Sequence, residues 1–240
     1  MNTFKGTSIL TILMLIGLII SSTSCVKEQL TTAKEDFTLS LSTIESINIA
    51  FPATVYIKKG PQQKVQINAQ PEVFEAMTKI VDNKEWVIDL ENFNGSYESV
   101  TIELTLPTFS GLLTTSTGDI IVADYFQNIE ALNIEVQSTG TIKFKGTARE
   151  IDVWIDGTGD VTLDGLATQL NATLDSTGDL MAYALEATIV DVLSTSTGDA
   201  EIVAQEELSV IMTGTGDVKY KGNPSITSTI TGTGELMDEN

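Results

Sequence analysis

The heptapeptide Leu174-Asp175-Ser176-Thr177-Gly178-Asp179-Leu180 decides the fold, because near-copies of it recur along the chain. Taken singly, its two carboxylates, two hydroxyls and glycine could hold a metal or activate a nucleophile. Its core is a small residue, then Thr-Gly, then usually an acid, and this core appears seven times. The glycines are Gly118, Gly140, Gly159, Gly178, Gly198, Gly216 and Gly234, with gaps of 22, 19, 19, 20, 18 and 18 residues.

Counting from each glycine exposes a stricter rule. Two and four positions after it the residue is apolar, as in Ile120 and Val122, Val161 and Leu163, or Ala200 and Ile202. Eight, six and four positions before it the residue is again mostly apolar, as in Leu132, Ile134 and Val136, or Ile151, Val153 and Ile155. Both sets alternate with period two, which means half-buried strands rather than helices. Polar residues such as Asn133, Glu135, Asp152 and Asn171 fill the positions between and should face water. The length variation falls in KGTARE (145–150), DGLATQ (164–169) and KGNPS (221–225), which read as turn-like segments able to absorb insertions. A unit this short cannot bury its apolar face alone, so the units must stack. The expected fold is therefore all-β: a parallel β-helix-like solenoid with about 18–22 residues per coil over residues 111–236. An antiparallel meander is the runner-up.

Residues 36–110 lack the repeat but are strand-rich, with alternation over Ser46–Phe51, Thr54–Lys58, Lys64–Asn68, Trp86–Leu90 and Val100–Leu106. Pro71 to Ile80 reads as one amphipathic helix, with Val73, Phe74, Met77 and Ile80 on a face. Residues 36–240 are expected to form a single domain.

Composition narrows the function. Of 240 residues 33 are acidic and 13 basic, a net charge of −20, which argues against nucleic acid and against charge-driven adhesion to anionic lipid. No histidine is present, which removes every imidazole base and triad, and the single cysteine rules out Cys/His zinc sites. That cysteine follows a telling segment. Residues 1–24 carry Lys5, an apolar run from Ile9 to Ile20 and then Ser-Ser-Thr-Ser. The run is too short to span a bilayer and reads as a signal peptide. Ser24 before Cys25 resembles a bacterial lipobox, with Ser22 as a departure from its usual leucine. Cys25 would then be lipidated and anchor the protein to the membrane, with residues 25–35 as its tether. The expected location is the cell envelope, as an outer-membrane lipoprotein.

The ordered segments ATVYIKKG (53–60), KVQINAQPEVFEAM (64–77), EWVIDLE (85–91) and VTIELTLP (100–107), followed by serial STGD turns, resemble the "putative auto-transporter adhesin, head GIN domain" family of Bacteroidota lipoproteins. The likeness spans approximately residues 37–236. It implies a right-handed β-helix-like fold, an adhesin label and no established catalytic residues.

In the recurring turn, glycine is expected to supply a positive φ, and threonine (Thr117, Thr139, Thr158, Thr177, Thr197, Thr215, Thr233) a β-branched ladder able to hydrogen-bond locally. The following acid can accept backbone N–H bonds at the turn. Stacking would set Asp119, Asp160, Asp179, Asp199, Asp217 and Glu235 in a column, a candidate Ca²⁺ site broken once by Thr141. No other cofactor is expected. Paired carboxylates could instead hydrolyse polysaccharide, yet each acid belongs to a repeat, whereas a catalytic pair should stand apart from it. Trp154 falls on the outward side of its strand, five before Gly159, where a tryptophan either marks a binding surface or is covered by a packed loop. The sequence thus points to a non-catalytic binding, adhesion or structural module that grips a glycan or protein, with the enzyme and the calcium-stabilised solenoid as alternatives.

Overall fold

The computed structural model describes residues 30–240, so the leader and Cys25 lie outside the described residues. The chain is all-β. In order it forms β1 (Glu35–Leu39), β2 (Ser46–Ile49), β3 (Thr54–Lys59), β4 (Lys64–Ala69), helix α1 (Pro71–Ala76), β5 (Val81–Asp82), β6 (Glu85–Ile88) and β7 (Thr101–Leu106). The repeats supply β8 (Gly111–Thr114), β9 (Asp119–Val122), β10 (Phe126–Val136), β11 (Ile142–Ile155), β12 (Val161–Leu174), β13 (Leu180–Ser194), β14 (Ala200–Met212), β15 (Val218–Lys221), β16 (Ser225–Ile230) and β17 (Leu236–Asp238).

From β8 onward every pairing is parallel, and the inward columns stay aligned from coil to coil. Ile134 opposes Val153, Val153 opposes Ala172, Ala172 opposes Val192, and Val192 opposes Val210. These inward columns are buried throughout, which is why the apolar positions keep their distance from each glycine. A fully buried Val, Leu or Ile contributes about 1.5–3 kcal/mol, so the repeated alternation is the main source of cohesion between coils. Two outward faces result. A first sheet runs β6–β2–β8–β10–β11–β12–β13–β14–β16, and a second runs β7–β3–β9–β11–β12–β13–β14–β15–β17, the long strands serving both.

Three expectations change here. The segments KGTARE and DGLATQ are not turns: they lie inside β11 and β12 and keep their ladder, Lys145 opposite Asp164 and Glu150 opposite Gln169. The chain bends there without leaving the sheet, and Gly165 alone of the pair carries a positive φ, 130°. The length differences do fall in this region, as register shifts between Thr162 and Asp164 and between Met181 and Glu186. KGNPS, by contrast, is a break between β15 and β16, with Gly222 at φ 99°.

The helix is shorter than expected. It ends at Ala76, because Met77 is extended (ψ 139°) and bridges Leu90, while Thr78 N–H donates to Asp89 O at 2.9 Å. Six residues form a marginal helix, and pairing with the returning strand offers the backbone more. Ile80, expected on the buried face, is 76% exposed. Residues 30–35, expected to belong to a tether, are part of the fold instead. Leu30 already packs on the core, Thr32 Oγ1 donates to Glu72 Oε2 at 2.6 Å, and Gln70 Nε2 donates to Thr32 O at 2.8 Å.

The N-terminal coils are laid down out of order. β2 lies between β6 and β8, and β3 between β7 and β9. The chain therefore builds an inner coil first, leaves through β4 and α1, and returns to add the coil beyond it. β4 pairs antiparallel with β7, and β1 antiparallel with β4, which closes this end of the stack. Trp86 fills the space beneath with no exposure, its Nε1–H donating to Thr78 O at 3.1 Å.

Candidate functional site

The acids after the repeated glycines do form a column, held by a feature no single turn would show. Each aspartate accepts the backbone N–H of the equivalent residue one coil further on. Asp160 Oδ1 accepts from Asp179 N–H at 2.9 Å, Asp179 from Asp199 at 2.8 Å, Asp199 from Asp217 at 2.8 Å and Asp217 from Glu235 at 2.9 Å. At the start of the column Asp119 Oδ1 accepts from both the N–H (2.9 Å) and the hydroxyl (3.0 Å) of Thr141. Thr141 thus joins the ladder as a donor where another acid would bring charge. The bonds expected within the turn run instead between coils. Lys219 Nζ reaches Asp199 Oδ2 at 3.4 Å, and this neighbour holds Lys219 above its ordinary pKa. Among the described residues no three acids are grouped around one point as a metal would need.

The glycines serve a different purpose from the one expected. None of the seven has a positive φ. A Cβ on Gly159 would overlap the carbonyl oxygen of Gly140, and one on Gly216 that of Gly198, so glycine is required by the close approach of successive coils. The threonines before them form an exposed column, and their hydroxyls bond nothing among the described residues. Ser116 makes a local bond instead, accepting from Gly118 N–H at 3.0 Å.

Trp154 stands on the outward face of the first sheet. Trp154 is 38% exposed, and its indole is held by a 3.0 Å bond from Nε1–H to Asp175 Oδ2. Asp175 Oδ1 also accepts from Thr195 Oγ1 at 2.9 Å, so the two carboxylates of the opening heptapeptide serve separate networks. Along the stack Trp154 belongs to one column: Val87, Asn48, Leu113, Glu135, Trp154, Thr173, Leu193, Ile211, Thr229. Beside it runs a polar column in which Asn171 donates through Nδ2 to Asp152 Oδ1 at 2.7 Å and accepts through Oδ1 from Gln169 Nε2 at 2.9 Å. Sequence reasoning singled out Trp154 but missed Leu113, Leu193 and Ile211. All lie five before a repeat glycine, so the same count would have found them.

On a third side, between the two sheets, an open groove is lined by Asn128, Glu130, Thr147, Arg149, Leu166 and Thr168. Arg149 pairs there with Glu130 and, at 3.0 Å, with Glu150, which raises its pKa further.

Fold and surface together define a capped parallel β-solenoid whose outward rows of side chains are its accessible chemistry. The chain belongs to the family described as "Putative auto-transporter adhesin, head GIN domain", whose family model matches residues 44–224. It is similar in fold to the crystal structure of a putative adhesin from Bacteroides fragilis (21% identity, TM-score 0.80), covering 88% of this chain and 99% of that one. It is similar also to a putative lipid binding protein from Parabacteroides distasonis (16% identity, TM-score 0.74, covering 88% and 98%). A putative adhesin from the same organism matches at 15% identity and TM-score 0.71, covering 88% and 99%. No curated protein matches the chain.

Proposed function

We infer that this protein is a non-catalytic binding module of the bacterial cell envelope, anchored as an outer-membrane lipoprotein through Cys25. The observation that carries the binding role is the first sheet's outward face, a broad surface of aligned side-chain columns centred on a half-exposed tryptophan. The column acids are bonded to backbone between coils, an arrangement that supports a structural role for them over general acid and base work. The family description adds an adhesin role, and the apolar run before Ser24-Cys25 supports the anchor. On this reading the ladder is complete without Ca²⁺.

Two experiments test it. Globomycin treatment or Cys25→Ala should leave an unlipidated precursor, and unchanged processing would remove the anchor. The purified chain should bind a macromolecular partner without altering it; reproducible release of sugar from envelope or plant glycans would favour the polysaccharide-active enzyme.

A further inference from the structure

The two sheets differ in charge. On the first sheet the three outward columns run through Glu85, Ser46, Asn133, Asp152, Asn171, Asp191, Ser209 and Thr227; through the Trp154 column; and through Ala131, Glu150, Gln169, Ile189, Glu207 and Ser225. They hold six carboxylates, Glu85, Glu135, Glu150, Asp152, Asp191 and Glu207, and no lysine or arginine. Only Glu150 has a cation beside it among the described residues, Arg149 at 3.0 Å. The lysines of the repeats, Lys143, Lys145, Lys219 and Lys221, all sit on the second sheet's strands. The middle column of this acidic face carries its exposed apolar side chains, with Leu193 37% and Ile211 47% exposed on adjacent coils and Trp154 two coils before Leu193, beyond Thr173.

Resting on the binding-module reading, we propose that the first sheet is the docking face for a cationic polypeptide. The partner's apolar side chains cover Leu113, Leu193 and Ile211, and its lysines or arginines meet the flanking carboxylates, one of them over the Trp154 indole. Charge complementarity selects this occupant. A net charge of −20 draws in a basic partner and repels acidic glycans, nucleic acid and anionic lipid. A neutral glycan would leave the carboxylates without counter-charge and cover Leu193 and Ile211 with polar groups. An exposed indole among Glu135, Asp152 and Asp175 suits a cation, because the ring face and the carboxylates attract the same charge. The bond to Asp175 fixes the ring before the partner arrives, which lowers the ordering cost of binding.

The test uses soluble synthetic peptides that alternate lysine with leucine and serine, with a glutamate-for-lysine analogue as control. Trp86 is fully buried, so a change in tryptophan emission on binding reports Trp154. The lysine peptide should bind and the glutamate analogue should not. Leu193→Ser with Ile211→Ser, followed by emission, and separately Trp154→Ala, followed by calorimetry because it removes the reporter, should each weaken binding at least tenfold while leaving the melting curve in place. Met181→Ser, an equally exposed position on the second sheet, should change nothing. Undiminished binding by the first-sheet variants would overturn the proposal. So would tighter binding of a neutral glucan to the same face, which keeps the module reading but replaces the ligand. A self-associated protein whose light-scattering mass falls on Leu193→Ser/Ile211→Ser would also overturn it, by assigning the face to a second copy. Release of sugar product would instead defeat the underlying binding-module reading.

Discussion

Replacing Asp179 separates the two forces that act along the acid column. Its Oδ1 accepts the Asp199 N–H at 2.8 Å, while its own N–H donates to Asp160. Carboxylates on neighbouring coils lie about 4.8 Å apart, and in water each such pair repels by about 0.9 kcal/mol. Asp179 is exposed, so the water figure applies and salt screens it. The Debye length falls from about 30 Å at roughly 0.01 M to about 3 Å at roughly 1 M, so two neighbours cost about 1.5 kcal/mol at the first and only about 0.4 at the second. Asp179→Asn keeps an acceptor oxygen but loses charge assistance, about 1 kcal/mol. The asparagine variant should therefore be about 0.5 kcal/mol more stable than wild type at low salt and about 0.5 kcal/mol less stable at high salt. Asp179→Ala, which leaves the Asp199 N–H without its acceptor, should fall about 1 kcal/mol below the asparagine variant at every salt concentration. Urea unfolding across a salt series measures both, and amide exchange at Asp199 reports the local bond. Identical Asn and Ala curves would mean that the carboxylate is not serving as an acceptor. A far larger loss for both, matched in wild type by adding a chelator, would mean that a cation bridges the column and that the ladder account is wrong.

Gly159→Ala should cost at least about 3 kcal/mol in urea unfolding, because its Cβ meets the Gly140 carbonyl and neither coil can retreat without opening the stack; Thr158→Ala, one residue away and exposed, should stay within about 0.5 kcal/mol. Ser194 interrupts the inward column between Leu174 and Met212 with a hydroxyl that is buried and unpartnered, so Ser194→Ala should raise stability by about 1 kcal/mol, and a loss would reveal a bound partner for that hydroxyl. The Thr32 hydroxyl holds Glu72 below its usual pKa, so its contribution is present above the unfolded value and lost as pH falls through the lower folded one; in Thr32→Val an NMR titration should find Glu72 back in the ordinary carboxylate range.

Much of the repeat region was legible because stacking in register makes distance from the glycine equivalent to position on a face. That is why Ile134, Val153, Ala172, Val192 and Val210 could be assigned to the core, and why Trp154 could be placed outside it. The same logic reached the acid column but not its bonding. A side chain's partner one coil away is separated by a whole repeat, so the sequence shows both ends without showing that they meet. KGTARE misled because glycine and small polar residues signal a turn in isolation, whereas β10 and β12 supply this part of β11 with ladder partners on both sides that keep the segment in the sheet. Pro71–Ile80 misled in the same way, since helical periodicity yielded to the pairing of Met77 with Leu90.

By itself the sequence determined that the chain is a stacked β-solenoid, which residues point inward, and that imidazole and zinc-thiolate chemistry are absent. Those conclusions follow from composition and local periodicity, which need no knowledge of what lies beside each strand. Only the tertiary structure decided that β2 and β3 are enclosed between later coils, that the glycines serve close approach rather than a left-handed turn, and that the acids bond the next coil's backbone. It also decided that LDSTGDL is no paired carboxylate site: Asp175 orients an exposed indole on one sheet while Asp179 is one rung of the ladder on the other. The physical reason is common to all of these. They depend on which backbone lies one strand spacing away, and that neighbour is chosen by long-range packing.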